Sequence, residues 1–187
     1  MLRMFSRSRT DAVPQQLYGA VVAQSRNPAF YIALKFADSV TGRFDVLALH
    51  MFLFSRRLSA EGDPRAPSLS PDVFDAFTGG LDDALRSLGI GDTSVPKRKQ
   101  AMVRGFYGQI DEFAPLVDAG DEAGLGLAIS ARFHGGGERE ASAKLSRYML
   151  AASAALAAQD FENICRGMLA WPDPVFGSAP ADRPQAG

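Results

Sequence analysis

The apolar positions of this chain recur mostly at three- and four-residue spacing, the signature of α-helix, and strand-like alternation is scarce. A first helix is predicted from about Val13 to Gln24, with Leu17, Ala20, Val21 and Ala23 on its apolar side. "NPAFYIALKFAD" restarts the pattern, with Asn27 as a cap, Pro28 in the first turn, and Phe30, Tyr31, Leu34 and Phe36 in register. Thr41 then caps a helix from about Gly42 to Leu58. Its apolar residues, from Phe44 to Phe54, surround the axis, so this helix is expected at the centre of the core. "SAEGDPRAPSLSP" reads as a loop, and Ser70 with Pro71 as the start of a helix reaching Leu88, with Val73, Phe74, Phe77, Leu81, Leu85 and Leu88 as its stripe.

"GDTSVP" caps a long helix from about Pro96 to Val117, and three more follow, from about Glu122 to Phe133, Glu138 to Ala158 and Phe161 to Ala170. The expected fold is all-α, a compact bundle of roughly seven to eight helices. Residues 13–171 would form a single helical domain, between a basic arm over 1–12 and a loose Pro-rich tail over 172–187.

Composition narrows the classes of function. Lys and Arg number 20 against 21 acids, so no overall field draws the chain to nucleic acid or anionic lipid. One cysteine, Cys165, cannot close an internal disulfide and suits a reducing compartment. Only His50 and His134 join it as soft ligands, without zinc-site spacing, and no cofactor is expected. The Arg/Ser-rich start is compatible with a transit peptide and reads more simply as a flexible basic arm. The longest apolar run, Val46 to Phe54, is far short of the roughly 20 residues of a membrane span.

His50 interrupts that run. It shares a helical line with Arg43, Leu47, Phe54 and Arg57, and reads first as a core histidine bonded to a neighbouring helix. A catalytic role would need a carboxylate in reach, with Asp38 or Asp45 as the options. "HGGGE" at His134 to Glu138 has an oxyanion-loop look, but no G-x-S-x-G elbow accompanies it, so a flexible turn is expected. Lys97, Arg98, Lys99 and Arg104 form a cationic run at a helix start, where the dipole disfavours cations. The preceding acids, Asp72 to Asp92, would neutralise part of it; an acidic partner, phosphate or RNA could take the rest, though Phe106 and Tyr107 lie on the core stripe. Gly105 and Gly108, inside a strong helix, suggest that another helix approaches closely there.

Three blocks, in order, carry a family resemblance. They are "NPAFYIALKFADSVTGRFDVLALHMFLFSRRL", "DDALRSLGIGDTSVPK" and "FYG". Over roughly Leu17 to Leu116 the chain resembles the ubiquinol–cytochrome c chaperones, which assist assembly of the cytochrome bc complex. It departs from them at Ala37-Asp38-Ser39, at Lys99-Gln100, and at Gln109, where an arginine is usual. The resemblance implies a non-enzymatic assembly chaperone binding newly made cytochrome b or an early bc intermediate. The ribosome and a small helper protein are further partners it allows, with peripheral membrane contact and no small-molecule substrate. The implied partner-binding residues are Tyr31, Asp38, Arg43, His50, Arg57, Asp92, Lys97, Arg98 and Tyr107. The place of action would be the cytoplasm at the inner membrane of a bacterium, or the mitochondrial matrix of a eukaryote.

Overall fold

A computed structural model describes residues 9–174. Their helices are α1 (Arg9–Ser25), α2 (Ala29–Ile32), α3 (Val40–Ser59), α4 (Ala66–Ser87), α5 (Val95–Ala119), α6 (Glu122–Phe133), α7 (Arg139–Ala157) and α8 (Phe161–Cys165), with no strand among the described residues. The expected all-α bundle is what the chain forms. Helix α1 starts inside the stretch read as a basic arm; residues 1–8 of that arm and 175–187 of the tail lie outside the described residues.

Helix α3 packs against α1, α4, α5 and α7. Ala48 to Phe54 are buried without a break, so the helix is apolar around its circumference. Each large side chain there removes enough surface from water to stabilise the fold by about 1.5–3 kcal/mol. Its cap is Ser39, not Thr41: the Ser39 hydroxyl accepts from the Gly42 amide at 3.2 Å.

Three other boundaries differ from the sequence pattern for local reasons. Helix α2 is a single turn, because Lys35 adopts a left-handed φ of 60° and turns the chain away. Helix α4 begins ahead of Ser70 and Pro71. The Asp63 carboxylate accepts from the Arg65 amide at 2.9 Å, Ala66 closes the turn onto the Asp63 carbonyl, and Pro67 sits where no amide is needed. Helix α8 stops at Cys165, where Gly167 turns left-handed. "HGGGE" is the expected turn, with Gly135, Gly136 and Glu138 all at positive φ.

Beyond α8 the chain runs as an extended strap. The Gln159 side-chain amide brackets Ala170, accepting from its N–H and donating to its carbonyl, both at 2.9 Å. The Gln24 amide donates to the Pro172 carbonyl at 3.1 Å, and the Trp171 ring stands edge-on to His50 at 4.9 Å. Pro174 is buried, so residues 172–174, read from sequence as the start of a loose tail, pack onto the fold as far as they are described.

Candidate partner-binding groove

His50 is fully buried. The Val46 carbonyl can only accept, so Nδ1 carries the proton and donates to it at 2.7 Å. Nε2 then accepts from the Tyr148 hydroxyl at 2.7 Å, and that hydroxyl in turn accepts from the Gln24 amide at 3.0 Å. Phe30 stands edge-on to the imidazole at 4.9 Å. Neither Asp38 nor Asp45 bonds to His50. The residue joins α3 to α7, and it does not reach the surface to meet a partner.

Burial lowers the His50 pKa to about 4, because a charged imidazole would lose its hydration there. Burial acts oppositely on Asp45, raising its carboxyl to about 6 against the opposing pull of Arg132. The two signs oppose. Between 6.5 and about 4 the unfolded chain holds a proton on His50 that the folded chain lacks, so stability falls with pH by up to about 1.4 kcal/mol per unit. Between about 6 and 3.8 the folded chain instead holds the extra proton on Asp45, which adds stability as pH falls, reduced by the solvent the side chain still meets. Asp45→Asn removes the compensating group. Its urea midpoint is expected to fall more steeply than wild type between pH 6 and 4, and parallel profiles would refute that assignment.

Arg57 is also structural. Its guanidinium donates to the carbonyls of Leu156 at 2.9 Å and Gln159 at 3.1 Å, closing the end of α7, and pairs with Glu61 at 2.7 Å. With 9% of its side chain exposed, it is no surface handle.

Tyr31, Asp38 and Arg43, in contrast, come together at the surface. The Tyr31 hydroxyl donates to the Ser25 carbonyl at 2.9 Å, and Arg43 pairs with Asp38 at 2.7 Å. Tyr31 and Arg43 line a groove of about 480 Å³ between the end of α1, the start of α3 and the second half of α4. Val22, Phe44, Leu47, Leu81, Leu85 and Met102 also line it. Val40 and Leu88, at 46% and 54% exposure, stand at its edge, and Ile32, beside Tyr31 in sequence, is 71% exposed. Exposed apolar side chains gathered on a groove are what a partner surface displays. Gly80 makes room for Tyr18, whose hydroxyl lies 2.3 Å from where a Cβ would stand.

Two of these features were not readable from the sequence pattern. Leu88 belongs to the α4 stripe by spacing but lies past the last helical residue, on the surface. Arg26 passes unnoticed as a single cation after α1, yet it lines the groove and forms no ion pair among the described residues.

The other expected partner residues lie on α5 and the turn before it. Asp92 pairs with Arg86 inside its own segment, and Lys99 pairs with Asp82 at 2.5 Å, which is the expected neutralisation at one cation of the run. Lys97, Arg98 and Arg104 are exposed and form no ion pair among the described residues. Tyr107 leaves the core stripe. It is 50% exposed, with its ring against Phe74 and Phe106, and only Phe106 is buried.

No helix crosses closely at Gly105 and Gly108, contrary to the sequence reading. A Cβ at Gly105 would meet only the Phe44 ring, at 3.6 Å, and one at Gly108 only the Arg132 guanidinium, at 3.4 Å, so no neighbouring backbone presses on either position. Arg132 also donates to the Gly105 carbonyl at 2.9 Å and pairs with Glu112 at 2.7 Å. Gln109 is fully buried, and its amide has no hydrogen-bond partner among the described residues.

The sequence profile of the ubiquinol-cytochrome C chaperones matches residues 33–171, most of the chain. The chain belongs to that family. The fold is similar to the crystal structure of the Cbp3 homolog from Brucella abortus, with 30% identity and a TM-score of 0.78, over 89% of this chain and 92% of that one. No curated protein matches.

Family membership gives the Gly42–Asp45 block a physical reading: Gly42 clears the Ala37 carbonyl, Arg43 stands at the groove edge, Phe44 lines the groove and Asp45 turns inward. The family profile runs past Leu116, where the three resembling blocks stop. Helices α6, α7 and α8 and Trp171 therefore lie within the residues that the family profile matches.

Proposed function

We propose that this chain is an assembly chaperone of the cytochrome bc complex. It holds newly made cytochrome b, or an early intermediate containing it, by binding and release without a chemical step. The groove that Tyr31, Arg43 and Phe44 line carries this reading, because it sets the exposed Val40 and Leu88 beside residues of the block that carries the family resemblance. Family membership supports the process, and the burial of His50 leaves the alternative of acid–base catalysis without an accessible base. No helix among the described residues is long and apolar enough to cross a membrane, so contact with an inserting client would be peripheral, at the cytoplasmic or matrix face.

The test is a tagged pull-down from detergent-solubilised membranes with mass spectrometry of the captured proteins. Enrichment of cytochrome b without the mature iron–sulfur and cytochrome c subunits is expected. Val40→Asp combined with Leu88→Asn should abolish that enrichment while leaving the melting temperature within a few degrees, since both side chains are exposed and an acid suits the first turn of α3. Undiminished enrichment would remove the groove from the account.

A second reading rests on Lys97, Arg98 and Arg104 together with the exposed Tyr107 ring, a set suited to ribosomal RNA. It predicts ribosome co-sedimentation that falls steeply with salt and is lost when the three cations are replaced by glutamine.

A further inference from the structure

The groove is not neutral. Arg26 and Arg43 line it, and none of its lining residues is an acid, in a chain that carries 21 acids against 20 bases. Arg43 is held by Asp38, with 65% and 61% of the two side chains exposed, so that pair is open to competition from solvent and from ligands. Arg26 has no ion pair among the described residues. Along α4 the lining runs from Gly80 to Leu88, a rise of about 12 Å, or roughly two turns of a docked helix.

Resting on the groove as the client site, we propose that it takes an apolar helical segment carrying a carboxylate within about one turn of its apolar stripe. Val40 and Leu88 receive the stripe, over a floor that the buried Leu85 and Phe44 close. Arg26 receives the carboxylate, and Arg43 can join it by exchanging Asp38 for the incoming acid. Asp38 is then an internal stand-in for the client, keeping Arg43 paired in the empty groove. A segment flanked by lysine meets the unpaired Arg26 and leaves the Arg43–Asp38 pair in place, so it binds more weakly.

The test uses synthetic Leu/Ala-rich helical peptides that differ at one flanking position, with Glu, Gln or Lys. Their binding to the full chain is measured by fluorescence anisotropy. Wild type should prefer Glu over Gln over Lys, with a spread of roughly threefold to tenfold at low salt that shrinks at about 0.5 M salt. Arg26→Glu should reverse the order, and Asp38→Asn should tighten the Glu peptide a few-fold by releasing Arg43. Thermal melts check that each variant folds. Equal binding of the three peptides, or an unchanged order in Arg26→Glu, overturns the charge preference and leaves the groove as an apolar site. If none of the peptides binds wild type, the groove reading itself falls, and the preference with it.

Discussion

Gly42→Ala is expected to destabilise the fold by about 3 kcal/mol or more, read as a large drop in the urea midpoint. A Cβ at this position would lie 2.0 Å from the Ala37 carbonyl oxygen and 3.0 Å from its carbon. The obstacle is backbone, so no rotamer change relieves it. The chain from Ala37 to Ser39 would have to move, and with it the cap that Ser39 supplies to α3 and the Asp38 partner of Arg43. Gly105→Ala is the control. Its nearest contact outside its own helix is an ordinary 3.6 Å to the Phe44 ring, and replacing a glycine inside a helix gains about 0.5–1 kcal/mol. If both substitutions had the same small effect, the reading of the Gly42–Asp45 block would be wrong.

Phe30→Ala should cost about 3–5 kcal/mol, the usual range for emptying a phenylalanine site in a closed core. The ring is fully buried and edge-on to both His50 and Tyr148, at 4.9 and 5.2 Å. It is also the one buried residue of α2, a helix too short to persist without it. Loss of the ring would release Tyr31 from the groove edge together with the rest of that turn. Stability and client binding should therefore fall together in this variant, whereas Val40→Asp with Leu88→Asn separates them. Phe30→Leu, which refills part of the volume, should recover a good share of both.

The helices were legible in the sequence because each buries a stripe that repeats at helical spacing, and α3 betrayed its central place by carrying apolar residues on every side of its middle turns. What failed was punctuation. Ser70-Pro71 is a good start signal that lost to an earlier one, because Asp63 had already bonded the Arg65 amide and opened the helix upstream. The periodic run after Pro28 could not foresee that Lys35 turns left-handed and ends α2 after one turn.

The site was legible only in part, for a different reason. Arg43 and Tyr31 stand within short recognisable blocks, but the groove is made by α1, α3 and α4 meeting in space. Arg26 has no pattern around it that could mark it in advance. His50 and Arg57 carry the opposite lesson: both stand out in a motif because the fold needs them, one bonded to Tyr148 and the other to the end of α7.

The strap over His50 sets the order in which the protein can be completed during its own synthesis. Gln24 is made well before Pro172, yet one hydrogen bond joins them across 148 positions of chain. Helices α1 to α7 can emerge and begin to collapse while the Trp171 side of the imidazole still faces water. The His50 layer closes only when residues 170–172 leave the ribosome, so a nascent chain stalled before Trp171 would carry an unsealed core.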